Sequence, residues 1–163
     1  FNGLILLNNM SKVKEINLKK HDLNAFRAEF AGCLILTKDN KILLQKRDKK
    51  AFSYPSYISA FGGRIETRET ATQAIIRELK EELEIIVTED EIRFIGAVAE
   101  EISDYSELIY EFFWHDKNGI LTDKCNEGSQ KIFKCYHEVL VNKKLIDDVP
   151  WIIKRCIKLG FID

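Results

Sequence analysis

Residues 62–85 read Gly-Gly-Arg-Ile-Glu-Thr-Arg-Glu-Thr-Ala-Thr-Gln-Ala-Ile-Ile-Arg-Glu-Leu-Lys-Glu-Glu-Leu-Glu-Ile, and the second half of this stretch predicts a helix. Thr70 followed by Gln73 is a capping box, and strong helix formers come after it. At about 100° per residue, Ile75, Ile76, Leu79 and Leu83 share one arc, while Glu78, Glu81 and Glu82 gather on the neighbouring arc. Like charges at these spacings cost an isolated helix roughly 0.2–0.5 kcal/mol per pair, so the cluster opposes the helix unless a cation relieves it. Oxygen-only ligands select a hard cation, Mg²⁺ or Mn²⁺. The ordinary reading of three Glu on a surface helix is a solvated face. The preceding residues argue otherwise. Gly62 and Gly63 directly follow an apolar, strand-like segment at 57–61, where glycines let the backbone approach a ligand closely.

These residues resemble the Nudix hydrolases. The family's box is Gly, five residues, Glu, seven residues, then Arg-Glu-apolar-any-Glu-Glu-any-Gly-apolar. It falls here on Gly63, Glu69, Arg77, Glu78, Leu79, Glu81, Glu82 and Ile85. One specified position departs, since Glu84 stands where the family has Gly. That Gly resembles a helix-ending residue in the left-handed region, which a Cβ disfavours by roughly 1–2 kcal/mol. Glu84 therefore implies either a longer helix or a strained ending. The ligand carboxylates lie earlier, so the change touches local geometry more than chemistry.

The length of 163 residues, with 45% hydrophobic and 31% charged side chains, fits one domain with a sizeable core. A net charge of −1 and a pI near 6.4 provide no basic field for nucleic acid or an anionic membrane, so an anionic substrate must be held locally. Cys33, Cys125, Cys135 and Cys156 are widely spaced with no Cys-x-x-Cys pair, which argues against a zinc site. Cys33 reads as a core residue, and a reducing cytoplasm is the simpler compartment. No run approaches the roughly 20 apolar residues of a membrane span. Residues 1–9, ahead of Met10, are set aside from the fold reading.

Residues 1–27 read as an N-terminal extension with an edge strand near 13–16, and residues 28–163 as a single catalytic domain. Segments 30–37 and 42–45 are apolar runs flanking a Lys-Asp-Asn-Lys turn, which predicts a central hairpin. Lys46, Arg47, Lys49 and Lys50 follow as a solvated cluster with a phosphate-facing role left open. Strands are expected at 92–99, 108–114 and 132–136, and a last helix from Val149-Pro150-Trp151 with a stripe of Trp151, Ile152, Cys156 and Leu159. Glu100, Glu101, Asp104 and Glu107 read as a solvated acidic loop. His21, His115 and His137 are scattered and read as ordinary surface or core residues. This order gives an α/β class with a mixed, twisted sheet, and the resemblance implies a Nudix-like α/β/α sandwich.

The chemistry implied by the resemblance is hydrolysis of the diphosphate linkage in a nucleoside diphosphate derivative, a nucleotide or nucleotide sugar. A bound divalent ion draws charge from phosphoryl oxygens and lowers the pKa of its water. Glu78, Glu81, Glu82 and the Gly62 carbonyl are the implied metal ligands, with Mg²⁺ the expected ion and Mn²⁺ an alternative. Glu78 is the family-based general base, with Glu100, Glu101, Glu107 and Glu127 as rivals. Glu69 and Arg77 are implied to pair, fixing loop against helix. Gly63 and Arg64 are the candidates for substrate contact. Tyr54, Tyr57, Tyr105 and Trp114 are aromatics that can stack on a base, although aromatics in strands are more often core. The proline that marks the family's ADP-ribose subgroup beyond the box is missing, which counts against that subgroup. No nucleic-acid or membrane partner is expected, and a homodimer is left open. The alternative is a nucleotide-sensing module without turnover, against which the intact carboxylates argue.

Overall fold

The computed structural model of the chain describes residues 12–163, so the residues set aside ahead of Met10 lie outside them. Eight strands form one mixed sheet: β1 (Val13–Glu15), β2 (Ala28–Leu36), β3 (Ile42–Lys46), β4 (Ile58–Ser59), β5 (Phe61–Arg64), β6 (Arg93–Glu100), β7 (Glu107–His115) and β8 (Ser129–Phe133). The main path runs β1-β6-β7-β2-β3-β4, with β5 also on β2 and β8 also on β3. Only the β2–β7 pair is parallel; the remaining pairs between named strands are antiparallel. Three α-helices complete the described fold: α1 (Ala71–Leu83), α2 (Tyr136–Leu140) and α3 (Asp148–Lys158).

Strand β2 is apolar nearly throughout because helices cover both of its faces. Ala31, Cys33 and Ile35 pack with Ala74, Ile75, Leu79 and Leu83 of α1. Leu34 and Leu36 point the other way and join Trp151, Ile152, Ile153 and Cys156 of α3. This two-residue alternation makes the α/β/α sandwich. Each fully buried Leu or Ile in these layers contributes ~1.5–3 kcal/mol. The N-terminal β1 is an edge strand on β6, and Ile16, Leu18, Leu23 and Phe26 form a small third core with Ala97, Ala99 and Leu108.

Four expectations need correction. The segment at 57–61 is two strands, because the chain changes partner at Ala60: Ser59 pairs with Gln45 of β3, whereas Phe61 pairs with Cys33 of β2. Gly62 and Gly63 accordingly lie inside β5, opposite Gly32 and Ala31. The strand expected at 132–136 spans Ser129–Phe133. It stops because Glu138 Oε2 accepts from the Lys134 N–H (2.7 Å) and a helix begins at Tyr136. Leu159 lies past the end of α3 and is 42% exposed, so it leaves the apolar stripe. Glu100 is buried at the end of β6 and is no part of a solvated loop.

Candidate active site

Helix α1 begins as the capping box requires. Thr70 Oγ1 accepts from the Gln73 N–H (3.1 Å), and Gln73 Oε1 accepts from the Thr70 N–H (2.9 Å). The helix ends at Leu83, and Glu84 adopts the left-handed conformation at φ 56°. Of the two consequences expected at Glu84, the structure has the strained ending.

The edge of β2 is shared between β3 and β5, and the place where those two strands part is the side of the sheet on which the glycines meet the helix. Gly62 has φ 143°, and a Cβ there would run into the Ala31 carbonyl. A Cβ on Gly63 would meet the Glu78 carboxyl, lying 2.7 Å from its carboxyl carbon. The glycines thus let β5 press directly against the carboxylates of α1.

Those carboxylates sit in different surroundings. Glu82 is 3% exposed; its Oε1 accepts from Gln45 Nε2 (3.1 Å) and its Oε2 from the Gly62 N–H (3.0 Å). Burial, with the Glu78 and Glu127 charges nearby, pushes its pKa up to about 8 against the pull of those hydrogen bonds. Glu78 is half-buried, and burial raises its pKa despite the opposing effect of Arg77. Glu81 is exposed.

Arg77 ties the region together. Its Nε and Nη2 bind the two oxygens of Glu69 (2.8 and 3.0 Å), Nη2 also donates to the Arg64 carbonyl (3.0 Å), and Nη1 donates to Glu78 Oε1 (2.8 Å) and Glu81 Oε2 (3.2 Å). The bidentate fork holds the Glu69 carboxyl below its ordinary pKa. Glu69 Oε2 also accepts from the Glu66 N–H (3.0 Å), so the pair fixes the loop before α1.

A cleft of about 450 Å³ opens beside this cluster. Gly62, Gly63, Glu78, Gln45 and Arg47 line it on one side, and Glu100, Glu107, Glu127, Asp148 and Tyr54 elsewhere. Arg64 does not line it; its side chain is exposed and its backbone carbonyl accepts from Arg77, and the cation facing the cleft is Arg47. Among the rivals for the base, Glu101 lies outside the cleft lining, Glu107 is paired with Arg27 (2.7 Å), and Glu100 is pushed up to about 9 by burial beside Asp148. Tyr54 faces the cleft, with Tyr57 edge-on to it at 5.2 Å, whereas Trp114 is buried in the core. Gln45, Glu111 and Asp148 were not singled out by the sequence reading. The signal at Glu111 is a single charged residue inside an apolar run, and at Gln45 and Asp148 a polar residue at the border of one.

The family model described as the NUDIX domain matches residues 27–152. The chain belongs to the NUDIX domain family. Among similar proteins is the ADP-ribose pyrophosphatase of Methanocaldococcus jannaschii, 38% identical over 73 residues, covering 42% of each chain. This chain therefore aligns with less than half the length of that relative. The NUDIX domain of Shewanella oneidensis NrtR, solved in complex with ADP ribose, superimposes with a TM-score of 0.65 at 18% identity, covering 88% of this chain and 96% of that one. The MutT protein of Methanosarcina mazei superimposes with a TM-score of 0.64 at 15% identity, covering 85% and 99%. At these identities the two structures speak for the fold. Among the described residues, no helix is long and apolar enough to cross a membrane.

The family implies a divalent cation, and the donor chemistry fits one: hard carboxylate oxygens of Glu78, Glu81 and Glu82, beside a glycine backbone that would collide with any Cβ. Among the described residues, no three His, Cys, Asp or Glu side chains are already drawn together as a ligand set. Arg77 Nη1 instead supplies the positive charge between Glu78 and Glu81.

Proposed function

We propose that this NUDIX protein hydrolyses the diphosphate linkage of a nucleoside diphosphate derivative with the help of Mg²⁺ or Mn²⁺. The observation that carries the reading is the buried Glu82 beside half-buried Glu78, pressed against Gly62 and Gly63 at the wall of an open cleft. The ADP-ribose named for the curated relative, and bound in the Shewanella structure, makes ADP-ribose the first substrate to try, even though the subgroup proline is missing.

Glu78, Glu81, Glu82 and the Gly62 carbonyl would hold the cation, which supplies charge neutralisation at the phosphoryl oxygens and an acidified water. Glu78 lines the cleft, and burial raises its proton affinity, as suits a group that takes a proton. Glu69 and Arg77 position it: the fork on Glu69 fixes the guanidinium whose Nη1 reaches Glu78. Arg47, with its Nε held by the Ser53 carbonyl (3.0 Å), is the cleft cation available to a phosphate, and Gly63 brings backbone to the same wall.

Incubation with Mg²⁺ and ADP-ribose, then with a panel of nucleotides and nucleotide sugars, should release a nucleoside monophosphate. Ligands that raise the melting temperature yet stay intact at several pH values would replace the hydrolase with a sensor.

A further inference from the structure

Beyond Glu78, three more carboxyls are buried around the far end of the cleft, and each comes from a different element. Glu111 in mid-β7 is 0% exposed, Asp148 at the start of α3 is 6% exposed, and Glu100 at the end of β6 is 8% exposed. Glu100 and Asp148 line the cleft, and Glu111 lies behind them. The Asp148 N–H donates to Glu100 Oε1 (3.0 Å), which ties α3 to β6. Gly32 leaves room for Glu111, since a Cβ there would lie 2.7 Å from Glu111 Oε2.

Neither oxygen of Glu111, nor Oδ1 of Asp148, meets a donor when both groups are ionised. Yet the two carboxyls are close enough to hydrogen bond to each other once one holds a proton. The groups facing them are acids or thiols: Glu100 from β6, Asp147 from the segment before α3, Cys33 from β2 and Cys156 from α3, with Glu107 of β7 and Tyr54 facing Glu100 in turn. The nearby cations are engaged at the rim, Lys12 with Asp147 (4.0 Å) and Arg27 with Glu107 (2.7 Å). An unpaired buried carboxylate is far costlier than a neutral acid in a hydrogen bond.

We propose that Glu111 is a positioning residue: one proton shared between Glu111 and Asp148 pins the start of α3 to the sheet, and thereby fixes the cleft end formed by Asp148 and Glu100. Loss of that proton leaves two carboxylates facing each other inside the core and drives α3 away from β7. The fold therefore loosens at this end as pH rises. Burial raises the affinity of Glu111 for its proton, to a pKa of about 7, and raises that of Asp148 as well. Because the folded values lie above the unfolded ones, the stabilisation is fully present in acid and drains away as pH climbs through the folded values.

The test is Glu111→Gln, whose amide has the same shape and donates to Asp148 with no shared proton. With metal chelated, so that Glu82 contributes equally to both proteins, the wild-type melting temperature should fall by about 5 °C or more between pH 6 and pH 9. That of the variant should fall by less, the difference being the share contributed by Glu111 and Asp148, since Glu82 and Glu100 titrate in both proteins. Curves that run parallel, offset or not, would overturn the proposal, since a merely structural role moves stability equally at every pH. If the variant does not fold, ¹³C-carboxyl NMR titration of the wild-type protein decides instead. Carboxyls other than Glu82 and Glu100 should titrate above pH 6, and their absence would overturn the proposal. The second arm rests on the function proposed above. With ADP-ribose and Mg²⁺, the variant-to-wild-type ratio of KM should fall as pH rises while the ratio of kcat stays constant. Absence of turnover would count against that function alone and leave the melting result to judge Glu111, whereas a kcat ratio that tracks pH would overturn the positioning role.

Discussion

Metal binding should expel a proton from Glu82. The side chain is 3% exposed, and burial beside Glu78 raises its pKa from 4.5 to about 8. At pH 7 such a group is about nine-tenths protonated, so a cation that needs the carboxylate must displace close to one proton. The ionised fraction grows from about 1% at pH 6 to about half at pH 8. Apparent Mg²⁺ affinity should therefore tighten about fifty-fold over that interval and only about twofold beyond it. Glu78, raised in the same direction, adds to the release. The metal-free protein should show the mirror image. Its folded pKa is raised, so the stabilisation is present below the unfolded value and is lost as pH rises through about 8, with an upper bound of about 5 kcal/mol. Calorimetric Mg²⁺ titrations in buffers of differing ionisation enthalpy count the protons directly. Glu82→Gln should remove most of the pH dependence of Mg²⁺ affinity along with most of the binding, leaving only what Glu78 contributes. Proton-neutral binding at pH 7, with affinity flat from pH 6 to 8, would refute the placement of Glu82 among the ligands.

Two further outcomes follow from the same contacts. Because Arg77 grips both oxygens of Glu69, Glu69→Gln and Arg77→Met should be non-additive by about 1 kcal/mol or more in a double-mutant cycle on kcat/KM, and additive losses would mean no coupling. Glu84→Gly should relieve roughly 1–2 kcal/mol of left-handed strain, less what the Asn126 Nδ2 contact (3.3 Å) contributes, and raise the melting temperature by about 2–4 °C; an unchanged melting temperature would show that the ending carries no strain.

Helix α1 and the central hairpin were legible in the sequence because their signals are local. A capping box and a 3.6-residue stripe specify α1, and two apolar runs around a polar turn specify β2 and β3. The unread features depend on partners far along the chain. Nothing near Ala60 reveals that Ser59 will pair with β3 and Phe61 with β2; that switch exists only once both strands are in place. Glu111 sits among aromatics on β7, and its neighbour Asp148 is 37 residues away on another element. A charged residue in such a run reads as a surface position until a helix is known to cover it.

The same limit explains the acidic arc of α1. Helical spacing places Glu78, Glu81 and Glu82 together but says nothing about which edge of the arc the protein covers. Glu82 is adjacent to the apolar stripe and falls under β3 and β5, where Gln45 and the Gly62 N–H meet it. Glu81, about 100° around the helix, is left in solvent with only Arg77 to hold it. Three identical side chains thereby acquire different surroundings: Glu82 is dry and binds its proton more tightly, Glu78 is half-dry on the cleft wall, and Glu81 is open to water. A site that must both grip a cation and accept a proton needs such a gradient, because identical carboxylates would compete for the same role. The glycines produce it here. By letting β5 lie against one edge of the helix, Gly62 and Gly63 decide which of the three is desolvated.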